Sequence, residues 1–107
     1  MKELKKNFTK LGDDFTQVYR ENGIAIYRRS NEHYDDVYEV FKIQVGHMHP
    51  MDKNYDPSVM VEKYPCDEVF GSTAWCCHGI HQLYACLIGN LQMEKMQAFT
   101  LVKSINK

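Results

Sequence analysis

A chain of 107 residues fits one domain, long enough to bury a core, and 1–107 is read as a single unit. Apolar residues make up 44% and charged residues 25%, the balance of a folding chain rather than a disordered one. With 13 Lys and Arg against 14 Asp and Glu, the net charge of −1 excludes both a uniformly acidic DNA mimic and a generally basic coat for nucleic acid.

The N-terminal MKELKKNFTK lacks the apolar run of a signal peptide, and no stretch approaches the roughly 18 consecutive apolar residues of a membrane-spanning helix. The expected location is cytoplasmic, with no membrane partner, and four cysteines there are expected to stay reduced. Leu4, Phe8 and Leu11 recur at helical spacing, which predicts a short helix within residues 1–12, ended by Gly12.

The next segment, FTQVYRENGIAIYRRS, holds two β-branched and aromatic runs around Asn22-Gly23, the dipeptide best suited to the two positive φ angles of a type I′ hairpin turn. With those two as the loop, Tyr19 faces Ile26, Arg20 faces Ala25 and Val18 faces Tyr27. A third strand, within DVYEVFKIQVGH, puts Val37, Phe41, Ile43 and Val45 on an inner side and Tyr38, Val40, Lys42 and Gln44 on the other.

Residues 46–63 show neither period and contain Gly, two Pro, Asp and Asn, so they are expected to form a long loop. A short strand from Ser72 to Cys77 precedes a helix whose apolar stripe is Ile80, Leu83, Tyr84, Leu87, Ile88 and Leu91. Gly89-Asn90 kinks or ends it. Residues 92–107 fit either a helix or a final strand. Trp75, at the strand-to-helix junction, is expected to be largely buried. The order predicts an α+β domain: an antiparallel sheet of three to four strands, one face packed on a C-terminal amphipathic helix and the other open.

The runs FTQVYRENGIAIYRRS, YEVFKI and EKYPCDEVFGSTAW followed by a helix resemble a family of small bacteriophage-encoded proteins of unknown function. The resemblance is carried by Ala25-Ile26-Tyr27, Tyr38 to Ile43, Tyr64-Pro65, Glu68, Phe70-Gly71 and Ala74-Trp75, and spans Phe15 to Leu87. It implies a viral origin and, for location, the host cytoplasm. Cys76-Cys77 after the tryptophan departs from the family pattern.

The segment AWCCHGIH raises the question of a metal. Structural zinc takes tetrahedral ligands at C-x₂₋₄-C or H-x₃₋₅-H spacing, and Cys76, Cys77, His78 and His81 match neither. Cys77 and His81 could gather with Cys66 or the His47-Met48-His49 pair only if the loop folds back, so no metal or other cofactor is assigned. Cys76, Cys77 and Cys86 read instead as small hydrophobes. A nucleophile such as Cys77 with His47 as its base lacks any surrounding motif, and no phosphate-binding glycine pattern is present, so the chain is not read as an enzyme.

The remaining feature is the sheet face left open. The predicted register gives it Arg20, Tyr27, Arg29, Tyr38 and Lys42, and Tyr and Arg are the residues enriched where partners bind. The function expected is that of a small phage accessory protein that binds a host protein and inhibits a host enzyme or defence system. A single-stranded nucleic-acid-binding module, with bases stacked on the tyrosines, and a zinc-stabilised adaptor remain alternatives.

Overall fold

Two hairpins with two-residue turns open the chain. At Asn22 and Gly23 the φ angles are 54° and 76°, the left-handed pair of a type I′ turn, and they join β2 (Asp13–Glu21) to β3 (Ile24–Ser30). The computed structural model describes residues 1–106. Tyr19 stands opposite Ile26 and Arg20 opposite Ala25, as expected, but the register then shifts so that Gln17, not Val18, faces Tyr27. The shift is a β-bulge at Val18. It brings Phe15 and Gln17 to the same side of the sheet as Arg20 and Tyr27.

A second turn of this kind, Leu11 at φ 54° and Gly12 at φ 83°, joins β1 (Asn7–Lys10) to β2. The expected helix over 1–12 is therefore a strand. An isolated helix this short is marginal in water, whereas β1 places Phe8 opposite Phe15 with their rings stacked at 4.8 Å. The Leu4–Phe8 spacing reflects burial on a sheet, not a helical stripe.

β4 (Val37–Lys42) and β7 (Ala74–His78) complete an antiparallel sheet of five strands in the order β1-β2-β3-β4-β7, one more than the upper expectation. The 46–63 segment is not a bare loop. Its ends belong to β5 (Gln44–His47) and β6 (Met60–Lys63), which form a separate two-stranded sheet. Gly46 and the prolines conceal this pairing in the sequence.

The predicted apolar stripe forms α1 (Ile80–Gly89) through Ile88; the helix ends at Gly89-Asn90, so Leu91, expected on the same stripe, lies beyond it. The 92–107 segment contains α2 (Lys95–Ile105), while its last residue lies outside the described residues. α2 buries Ala98, Leu101, Val102 and Ile105, again an i, i+3, i+4, i+7 set. The Arg28 guanidinium donates to the Ile105 carbonyl at 2.8 Å, placing a cation at the negative end of the helix and tying it to β3.

Both helices cover one sheet face, where Ile26, Tyr38, Val40 and Cys77 meet Leu83, Cys86, Leu87 and Ala98. Full burial of a leucine such as Leu83 or Leu87 contributes about 1.5–3 kcal/mol. Trp75 lies half-buried against the edge of this layer, less covered than expected. The other face, expected to be open, is closed. Phe8, Phe15, Ala25, Tyr27, Phe41 and Ala74 lie beneath Leu4, Tyr64 and Phe70, because the chain before β1 and the chain after β6 both fold across it. Consequently β4 has no single inner side: every residue from Val37 to Phe41 is buried.

Candidate functional site

The five residues expected on one open face are split between two covered ones. Tyr27 is 0% exposed on the aromatic side, its hydroxyl donating to the Lys5 carbonyl at 2.7 Å and accepting from Gln17 Nε2 at 3.0 Å. Tyr38 is 2% exposed on the opposite side, beneath the helices, and strand alternation puts the exposed Lys42 on Tyr38's side. Arg20 and Arg29 share the aromatic side with Tyr27, and each is already engaged by carboxylates. Arg20 makes a bidentate pair with Glu62 and lies 3.6 Å from Glu3.

Arg29 sits at the centre of a polar network on the margin of the aromatic side. Its Nε donates to Asp13 Oδ2 at 2.6 Å and its terminal nitrogen to Glu39 Oε2 at 3.1 Å, with the guanidinium 5.3 Å above the Phe15 ring. Asn31 Nδ2 donates to Asp13 Oδ1 at 2.7 Å and Tyr34 to Asp13 Oδ2 at 3.0 Å, while the Tyr64 hydroxyl donates to Glu39 Oε1 at 2.6 Å. The Asn31 amide and the Arg29 guanidinium hold the Asp13 carboxyl below its ordinary value. Burial, and then the Glu39 carboxylate, push the Tyr64 hydroxyl far up, so it stays a donor. All four carboxylate oxygens are occupied by protein donors. The arrangement fixes charge in place and offers neither a free base nor a mobile proton.

Cys76 and Cys77 point to opposite faces of β7, as alternation requires: Cys76 is exposed and Cys77 buried. Cys76 Sγ lies 3.9 Å from His78 Nε2, but burial and the nearby Glu39 carboxylate raise the Cys76 thiol, which makes it a poor nucleophile. His47, His49 and Cys66 are exposed. Among the described residues, no three His, Cys, Asp or Glu side chains converge as a metal site would require. No such group joins Cys66, His47 or His49 with Cys77 and His81.

With both sheet faces covered, the outer surface of the helical layer offers an exposed aromatic next to an apolar cleft. Ile80, His81 and Tyr84 of α1 and Phe99, Val102 and Lys103 of α2 border a cleft of about 290 Å³. That volume is just below the range of about 300–1,000 Å³ typical of small-molecule sites. Phe99 is 46% exposed and Met96, one turn before it, 72%. Lys95 and Lys103 stand one turn to either side of Phe99, and Lys103 Nζ lies 5.6 Å from its ring centroid.

Sequence reading missed this surface. The available signal was the presence of Met96 and Phe99 off the Ala98-Leu101-Val102-Ile105 stripe, large apolar residues on the polar side of an amphipathic helix. Among the described residues, no helix is long and apolar enough to cross a membrane. No protein-family model, no curated protein and no solved structure matches the chain.

Proposed function

We propose that the protein acts by binding another protein through the outer face of its two helices. One observation carries this reading: Phe99 is exposed beside an apolar cleft, with Met96 exposed one turn before it on the same helix, while both sheet faces are already occupied by the chain's own residues. A partly exposed aromatic beside a cleft is the kind of anchor that dominates interface energy. The lysines flanking Phe99 select a partner with an apolar side chain for the cleft and acidic residues around it. In the setting that the phage resemblance implies, the partner is a host protein, and covering its surface inhibits a host enzyme or defence system. The internal pairing of Arg20 and Arg29 removes the main cations of a nucleic-acid-binding sheet and supports a protein partner over a nucleic acid.

The test is capture from a bacterial host lysate with wild-type protein, Phe99→Asp, and Met51→Asp as a control at another exposed apolar residue. The partner should be retained by wild type and Met51→Asp and lost with Phe99→Asp. With the purified pair, Phe99→Asp should weaken binding at least about tenfold, or about 1.4 kcal/mol, without changing the circular dichroism spectrum. Lys103→Glu should slow association. Equal retention of the same proteins by Phe99→Asp and wild type overturns the reading.

A further inference from the structure

The cleft between α1 and α2 carries charge of one sign. Ile80, Tyr84, Phe99 and Val102 form its apolar walls, Lys103 and Asn106 its polar rim, and no carboxylate is among the described residues that line it. Lys103 Nζ stands 5.6 Å from the Phe99 ring centroid and makes no ion pair among the described residues. The arginines differ: Arg20 and Arg29 are paired with carboxylates, and Arg28 is engaged by the Ile105 carbonyl at the end of α2. The first turn of α1, which brings Ile80 to the cleft, holds no acidic residue, and its N-cap, Gly79, has no side chain to accept from the turn's amides. The positive end of that helix therefore adds to the field of Lys103.

We propose that the cleft binds the C-terminal residue of the partner protein, a large apolar side chain together with its free α-carboxylate. The inference rests on the outer helical face being the protein-binding surface. Phe99, Tyr84 and Val102 enclose the side chain, and Lys103 and the Asn106 amide donate to the carboxylate in charge-assisted hydrogen bonds. Cation and apolar wall meet at one place, so the ligand must carry its anion and its apolar group only a few bonds apart. A chain terminus does this within a single residue. An internal Asp or Glu puts the charge on a neighbouring residue, and in an extended segment that neighbour points the other way. A volume of about 290 Å³ suits one residue rather than a run of them.

The experiment titrates the full isotope-labelled chain, followed by NMR, with three peptides: acetyl-Gly-Gly-Gly-Leu as the free acid, the same peptide as its C-terminal amide, and acetyl-Gly-Asp-Leu-Gly amide, which carries its negative charge internally. The free acid should shift the Tyr84 and Lys103 amide signals saturably and bind at least fivefold more tightly than either of the others. Lys103→Gln should bring the free acid down to the level of the amide with an unchanged circular dichroism spectrum, while Lys53→Gln, at an exposed lysine in the chain between β5 and β6, should keep the preference. Equal affinity for acid and amide, an internal acid as tight as the free one, shifts away from the cleft, or no saturable shift with any peptide overturns the assignment. So does a Lys103→Gln chain that keeps the full preference. A partner that Phe99→Asp fails to capture, but whose binding survives removal of its own last residue by carboxypeptidase, overturns this inference and leaves the protein-binding surface standing. A free-acid preference combined with equal capture by Phe99→Asp and wild type overturns the protein partner instead.

Discussion

On the helix side of the sheet, Ile26 and Val40 meet Leu83, Leu87 and Ala98, all fully buried. On the other side, the rings of Phe8, Phe15, Tyr27 and Phe41 lie beneath Tyr64, and carboxylates paired with Arg20 and Arg29 stand at the margin. The first side is closed by two regular helices whose contacts are mainly aliphatic. The second is closed by irregular chain held by edge-to-face aromatic contacts and by polar anchors at its ends. Tyr64 meets Phe8, Phe15, Tyr27 and Phe41 at 4.9–5.7 Å between centroids and is fastened by its hydroxyl to Glu39. A sheet this small becomes two-sided when one aromatic cover is bolted down at named polar points.

The sharpest way to break this comparison is to remove one side at a time. Tyr27→Ala deletes a fully buried ring together with its bonds to Lys5 and Gln17, and should lower stability by about 3–5 kcal/mol, enough to unfold a marginal domain. Leu87→Ala should lower it by about 2–5 kcal/mol through the cavity left under α1. Thermal or urea unfolding measures both. Wild-type stability in Tyr27→Ala would mean that the aromatic side is not a core at all.

Charge separates the two sides more finely. Arg29→Met leaves Asp13 and Glu39 without their shared cation, and should destabilise the fold by about 2–4 kcal/mol near neutral pH. The Asp13 carboxyl, held low chiefly by Asn31 and then Arg29, and the Glu62 carboxyl, held low chiefly by Arg20, both have depressed pKa values in the folded chain. Their contribution is therefore complete above the ordinary values of 3.8 and 4.5 and is lost as the pH falls through the folded ones. Hydrogen exchange below that window should accelerate at the Leu4 amide, which donates to Glu62, before it does so in α1. Simultaneous exchange at both places would show that the two sides open as one unit. Asp13→Asn should reduce the acid sensitivity.

Tyr64→Phe is a milder test of the same cover. It keeps the ring and removes the bond to Glu39, a bond to a charged acceptor, and should lower stability by about 1.5–3 kcal/mol. Unchanged stability would assign the closure of the aromatic side to ring packing alone.

What the sequence disclosed follows the same division. Asn22-Gly23 and the stripe from Ile80 to Ile88 carry their structural cause locally, in a turn dipeptide and a helical period, and β2, β3 and α1 lie where those signals put them. The aromatic cover was illegible because its cause is non-local. Nothing around Tyr64 shows that it will lie across Phe41 and Tyr27, and alternation in β2 fails at the bulge beside Val18. Arg20, Tyr27 and Arg29 were correctly placed together on one side, but that side's exposure depended on residues far away in sequence. The period of α2 is blurred by Met96 and Phe99, exposed apolar residues on the helix's polar side and part of the surface proposed to bind a partner. Where a functional surface adds apolar residues to a polar face, amphipathicity fades as a signal.

The smallest effect concerns how β1 reaches the aromatic side. Its turn, Leu11-Gly12, has nearly the backbone of Asn22-Gly23, with φ of 54° at both first positions, yet leucine carries the Cβ penalty there that asparagine tolerates. Leu11 is 86% exposed, so its side chain contributes almost no burial to offset that strain. Leu11→Asn should therefore raise stability by about 0.5–1 kcal/mol, an increase in the denaturant midpoint with an unchanged slope. Because the turn positions Phe8 against Phe15, exchange at β1 amides should slow while α1 amides keep their protection relative to the rest of the chain. A loss of stability would show that the Leu11 side chain makes a contact worth more than its backbone strain, and would locate a further part of the aromatic cover at the hairpin tip.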